Sequence, residues 1–115
     1  MCVGCIRYNR RASVKSVDES SALETWLVQV SGHVQGIGYR EASIHHARSW
    51  GITGWARNRM DESVEAMLQG SPTVLAEMYD WMRDGYPPAL VDDIQVTEVE
   101  PPFPRFEGFE LLPTL

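Results

Sequence analysis

The sequence predicts a single α+β domain, an antiparallel sheet that carries two helices on one face, and three observations predict it. Four short runs alternate apolar and polar residues with a period of two, the mark of half-buried strands. Two other runs space their apolar residues three and four apart, as one buried face of a helix requires. Strand and helix runs follow one another in the order β-α-β-β-α-β. A chain of 115 residues, 43% of them hydrophobic and including four Trp, four Tyr and three Phe, has material for one core of ordinary size and not for two.

The first strand starts near Trp26, where Trp26, Val28 and Val30 alternate with Leu27, Gln29 and Ser31 before Gly32 closes the run. Beyond the segment from His33 to Gly38, the residues Tyr39, Ala42, Ser43, His46, Ala47 and Trp50 recur at helical spacing, and Gly51 is placed as a C-terminal stop. Thr53 to Met60 and Ser63 to Gln69 form two arms of a β-hairpin joined at Asp61-Glu62, with Val64, Ala66 and Leu68 alternating against Glu65, Met67 and Gln69. Ser71-Pro72 then supplies an N-cap followed by proline in the first helical turn, where no backbone partner is lost. Val74, Leu75, Met78, Trp81 and Met82 make the apolar stripe of this second helix, which Gly85, Pro87 and Pro88 end. Ile94, Val96 and Glu98 alternate with Gln95, Thr97 and Val99 in a fourth strand, and Phe109 to Leu112 adds a short fifth piece at an edge. The order is that of a ferredoxin-like βαββαβ sandwich. Unrelated activities use this fold, so function has to be sought in the site.

Charge divides the chain. Residues 1–17 hold four basic groups (Arg7, Arg10, Arg11, Lys15) and no acid, whereas residues 18–115 hold 6 basic against 16 acidic groups, a net −10. Such a body repels a nucleic-acid backbone. Residues 1–24 lack periodicity and read as a flexible N-terminal extension, of a composition that a transit peptide or any upstream extension would share, ahead of a domain over residues 25–115. Four of the six basic residues of the body, Arg40, Arg48, Arg57 and Arg59, fall within twenty positions. That clustering suits a focused anion site, and equally a solvated face. No apolar run approaches the roughly 20 residues that cross a bilayer, so no membrane span is expected. The only cysteines, Cys2 and Cys5, have the spacing of a redox pair or of half a zinc site. With no second pair to complete four ligands, no metal centre is expected. His45 and His46 are neighbours on a helix, about 100° apart, and make a poor chelate. The cysteine-free body fits a reducing, cytoplasmic setting.

One segment carries chemistry. Gly32-His33-Val34-Gln35-Gly36-Ile37-Gly38-Tyr39-Arg40 joins a strand to the start of a helix, where backbone N–H groups lack intrahelical partners and the helix dipole favours anions. Glycines at 36 and 38 let the loop curl so that successive N–H groups form a nest for tetrahedral oxygens. By itself such a loop is more often merely a tight turn. Arg40, in the first helical turn directly after it, can lay a planar guanidinium over the same cradle and bind two phosphate oxygens at once.

The run GHVQGIGYR, followed by GITGWARNRMDESVEAMLQG, closely resembles the two signature stretches of the acylphosphatase family, a V-Q-G-V-x-[FYW]-R loop and then G-W-V-x-N with a hairpin ending in V-E. The resemblance extends from about Trp26 to Leu112. It implies hydrolysis of the carboxyl–phosphate anhydride of acyl phosphates by direct attack of water, with no metal and no cofactor; a monomer is the default expectation. It also implies that Arg40 binds the phosphate, that Asn58 orients the attacking water, and that the backbone of Val34, Gln35, Gly36, Ile37, Gly38 and Tyr39 forms the phosphate cradle. Elementary chemistry agrees with that division. A carboxylate of pKa about 4 leaves readily without a general acid, and an asparagine carboxamide can accept from water while donating to a phosphate oxygen.

Three positions depart from the family pattern. Asp61-Glu62 stands where the hairpin turn usually has Asp-Gly, Tyr39 where phenylalanine is commoner, and Trp50 where leucine is usual. The first departure matters for the turn, because a non-glycine residue is disfavoured wherever φ must be positive. Two rival readings keep the fold and drop the enzyme. One is an acylphosphatase-like module that binds carbamoyl phosphate or another anion without turnover. The other is a ferredoxin-like RNA-binding module, which the acidic body opposes.

Overall fold

Alternation along the strands sorts the side chains of the sheet into a helix-covered face and an open one. The computed structural model describes residues 23–115, ordered as β1 (Glu24–His33), α1 (Tyr39–Ser49), β2 (Thr53–Asn58), β3 (Val64–Gly70), α2 (Pro72–Asp84), β4 (Leu90–Glu98) and β5 (Phe109–Leu111). The Cys2/Cys5 pair and all but the last two residues of the expected extension lie outside the described residues. Glu24 already belongs to β1, where it is buried and its carboxylate accepts from the Trp26 indole at 3.0 Å.

The sheet runs β4-β1-β3-β2-β5. Its first four strands pair antiparallel, as expected, but β5 lies parallel to β2, so the sheet is mixed. Short range patterning could not reveal this, since a parallel partner is chosen by a crossover and not by a local turn. Register places Trp26, Val28 and Val30 of β1 opposite Leu68, Ala66 and Val64 of β3, and those opposite Gly54, Ala56 and Asn58 of β2. The apolar members of these rows share one buried cluster with Tyr39, Ile44 and Ala47 of α1 and Leu75, Met78 and Met82 of α2, so both helices cover the same face. Burying each of Leu75, Met78 and Met82 contributes about 1.5–3 kcal/mol. The second helix begins as its sequence requires, with Ser71 Oγ accepting from the Val74 N–H at 3.3 Å and Pro72 in the first turn.

On the opposite face Gln69 is buried, and its amide is fully engaged. Nε2 donates to Thr25 Oγ1 at 2.9 Å and to the Pro104 carbonyl at 2.8 Å, while Oε1 accepts from the Phe106 N–H at 3.0 Å. One side chain therefore fixes the path of the long connection from β4 to β5.

The hairpin turn takes the strained option. Arg59 N–H donates to the Ser63 carbonyl at 2.9 Å and Glu62 N–H to the Arg59 carbonyl at 3.0 Å, a three-residue loop whose last member, Glu62, has φ 73°. A left-handed conformation costs an L-residue roughly 1–2 kcal/mol, and glycine escapes it at an entropic cost of about 0.5–1 kcal/mol. Asp61 partly offsets the strain by accepting from both the Ser63 N–H and hydroxyl, contacts that hold its carboxyl below the usual range. Glu62→Gly should stabilise the fold by about 0.5–1 kcal/mol, read as a higher urea midpoint at unchanged slope. A midpoint that stays or falls would show that this turn bears no strain.

Candidate active site

The row that runs Val30, Val64, Asn58 across the sheet ends beside the loop that leaves β1. Because Gly54, Ala56 and Asn58 alternate with Thr53, Trp55 and Arg57, Asn58 projects to the helix-covered face while its two arginine neighbours project to the other. Its backbone is held on both sides, by pairing with Val64 and by the Leu115 N–H, which donates to the Asn58 carbonyl at 3.1 Å. The carboxamide reaches the end of the sheet where α1 begins.

There a hollow of about 270 Å³ is lined by Val34, Gln35, Gly36, Gly38, Tyr39, Arg40, Glu41 and Asn58. Its floor is the N-terminus of α1, entered through Gly38 at φ 83° with no side chain capping it. Gly36 also has positive φ, 80°. Among the described residues no backbone or side-chain group accepts from the amides of residues 34–38. Gln35 ties the loop to the hairpin, its Nε2 donating to the carbonyls of Arg59 at 2.9 Å and Ser63 at 2.8 Å. Tyr39 contributes its backbone to the rim and its ring to the core. Burial pushes its phenol up, and the neutral hydroxyl donates to the Met82 carbonyl at 2.6 Å.

Arg40 and Asn58 both line the hollow, and among the described residues Arg40 Nε and Asn58 Oδ1 are buried with no hydrogen-bond partner. A buried polar group left unpaired costs about 1–3 kcal/mol. A donor and an acceptor orphaned together in one concavity are accounted for by a ligand that offers both an acceptor and a donor, such as an oxyanion with a water molecule. Arg40 does have one partner. Its Nη2 lies 2.6 Å from a Glu41 carboxylate oxygen, and that contact holds the Glu41 carboxyl below its usual range, so the group is anionic at neutral pH.

Of the sequence-predicted residues, Arg40, Asn58, Val34, Gln35, Gly36, Gly38 and Tyr39 line one hollow, and the side chain of Ile37 turns away to pack on the core. Glu41 was not foreseen, although its place directly after Arg40 was the available signal. Of the four clustered arginines, for which an anion site and a solvated face were equally open, only Arg40 lines the hollow. Arg57 and Arg59 both contact Glu65, at 2.8 and 3.3 Å, with Arg57 also stacked over Trp55, and Arg48 donates to the Phe109 carbonyl. Strand alternation and one acid dispose of Arg57 and Arg59, and a backbone carbonyl disposes of Arg48. His46 is a packing residue between Trp50 and Trp81, and among the described residues no group of three or more His, Cys, Asp or Glu could hold a metal ion.

The acylphosphatase family model matches residues 26–111. Acylphosphatase 1 of Ralstonia nicotianae is 58% identical over 100 residues, covering 87% of this chain and 98% of that protein. The acylphosphatase of Polaromonas naphthalenivorans is 52% identical over 98 residues, covering 85% and 97%. The crystal structure of acylphosphatase from Bacillus subtilis matches with a TM-score of 0.73 at 30% identity, over 79% of this chain and 99% of that one.

Proposed function

This chain belongs to the acylphosphatase family and hydrolyses acyl phosphates to carboxylate and inorganic phosphate, and we propose that Arg40, Asn58 and the amides of residues 34–39 carry the reaction. The observation that supports this division is the pair of orphaned atoms, Arg40 Nε and Asn58 Oδ1, on two residues that line a single hollow. The phosphoryl group sits in the loop with its oxygens on the backbone N–H groups and the guanidinium. These groups neutralise the charge that spreads over the equatorial oxygens in the transition state. Asn58 Oδ1 accepts a hydrogen bond from the attacking water and aims its oxygen at phosphorus. As the new P–O bond forms, the bond to the acyl oxygen breaks and the electron pair leaves on the carboxylate. The water proton passes to a phosphoryl oxygen. No general acid is needed, because a carboxylate is a weak base.

Glu41 acts as the resident competitor for the guanidinium. Two unit charges about 4 Å apart in water interact by ~1 kcal/mol, so Glu41→Gln should lower the inhibition constant of inorganic phosphate by roughly fivefold. An unchanged constant would show that the carboxylate is not felt by the bound anion. All the named groups belong to one chain, so a monomer suffices. The net −10 of residues 18–115 argues against a nucleic-acid partner, and a cysteine-free domain over residues 25–115 suits the cytoplasm. Among the described residues no helix is long and apolar enough to cross a membrane.

Hydrolysis of benzoyl phosphate by the purified chain, with and without EDTA, tests the reading. We expect equal turnover in both. Phosphate binding without turnover would favour the non-catalytic anion module, and turnover lost to EDTA would make a metal part of the site.

A further inference from the structure

Tyr86 lies outside the loop, the hairpin and the hollow, yet its hydroxyl donates a 2.6 Å hydrogen bond to the carbonyl of Ile37. We propose that Tyr86 is a positioning residue for the phosphate cradle: by holding the Ile37 carbonyl outside the hollow, it turns the Gly38 N–H into it. The inference rests on the reading of that hollow as the site of acyl phosphate hydrolysis.

A peptide unit is planar and trans, so its C=O and N–H point in opposite directions and fixing one end fixes the other. Gly36 and Gly38 line the hollow while Ile37, between them, does not. Its side chain packs against the core and its carbonyl meets Tyr86. The plane of the peptide joining residues 37 and 38 turns about ψ of Ile37 and φ of Gly38, and Gly38 has φ 83°. Glycine adopts either sign of φ with similar ease, so the sequence of the loop itself does not stop this plane from rotating by half a turn. The rotated form would aim a carbonyl oxygen at the phosphate and remove a donor, a double loss at an anion site.

Tyr86 supplies the missing constraint. A Cβ placed on Gly38 would stand 3.0 Å from its hydroxyl oxygen, so the phenol is in contact with this very peptide. The ring is braced edge-on against Tyr39, with centroids 6.0 Å apart and planes at 63°, and lies 6.3 Å from Trp81. Its backbone carbonyl accepts from the Ala89 N–H at 3.0 Å in the turn that follows α2. The hydroxyl therefore reaches the loop from a body continuous with the core, on a side chain with only two rotatable bonds.

Tyr86→Phe in the full chain keeps the ring and deletes the hydroxyl. We expect the inhibition constant of inorganic phosphate against benzoyl phosphate hydrolysis to rise about 5–10-fold and kcat/KM to fall by a similar factor, the scale of one hydrogen bond. The Gly38 amide resonance, which should move on phosphate saturation of the parent protein, should move far less in the variant. A packing role alone would lower the melting temperature while leaving both constants within about twofold, and that outcome overturns the inference. Arg40→Ala is measured alongside. If it abolishes turnover while Tyr86→Phe is silent, the inference alone is wrong; if both are silent, the reading of the hollow is wrong. Should Tyr86→Phe be too unstable to assay, the parent protein decides, because a Gly38 amide unmoved by saturating phosphate also overturns the assignment.

Discussion

Replacing Arg40 by alanine should reduce kcat/KM for benzoyl phosphate by at least ~100-fold and raise the inhibition constant of inorganic phosphate. The magnitude follows from what one preorganised donor at developing charge is worth, about 3 kcal/mol. Its direction follows from the site, where among the described residues Arg40 is the single basic side chain lining the hollow. The arginine side chain is largely enclosed at 20% exposure, and the amides around it are uncharged. Without it, a phosphoryl group would meet only neutral donors and the Glu41 carboxylate. Arg40→Lys should recover part of the affinity and little of the rate, because an ammonium offers charge without the planar fork. Turnover close to the parent value in a folded Arg40→Ala protein would remove this residue from the mechanism.

Asn58→Ala should act on rate and spare affinity. We expect kcat to fall by about 100-fold or more while the phosphate inhibition constant stays within about threefold, since a group that orients the nucleophile contributes mainly in the transition state. Among the described residues Asn58 Oδ1 is buried without a partner, and its backbone is clamped between β3 and Leu115. Removing the carboxamide therefore deletes a polar atom that no group among the described residues satisfies, and the fold should lose little. A parallel rise in KM and in the phosphate constant, with kcat preserved, would instead make Asn58 an anion ligand.

The sequence made the scaffold legible because its signals are local. Alternation in β1 and β3, the Ser71-Pro72 helix start and the Gly36/Gly38 loop each follow from a few adjacent residues, and each is found where it was expected. The convergence of Arg40 and Asn58 was also partly legible. Once β2 is given a period of two, the small residues Gly54 and Ala56 mark the face packed beneath the helices, and Asn58 falls on that face. What remained hidden depends on contacts between residues far apart in the chain. Nothing near Gln69 says that its amide will bind Thr25, Pro104 and Phe106, and nothing near Tyr86 points to Ile37. The parallel placement of β5 against β2 is hidden for the same reason. Arginine clustering could not decide between a site and a solvated face, because nearness in sequence is not nearness on one face: Arg57 and Asn58 are adjacent residues on opposite sides of the sheet.

An amide-resolved titration of the folded chain with inorganic phosphate tests the central claim most directly. One saturable event is expected, with the largest shifts on the backbone N–H groups of residues 34–39, the Arg40 and Asn58 side chains moving in step and the Arg57/Arg59 face silent. Shifts centred on Arg57, Arg59 and Glu65, or a loop that ignores phosphate at saturation, would contradict it.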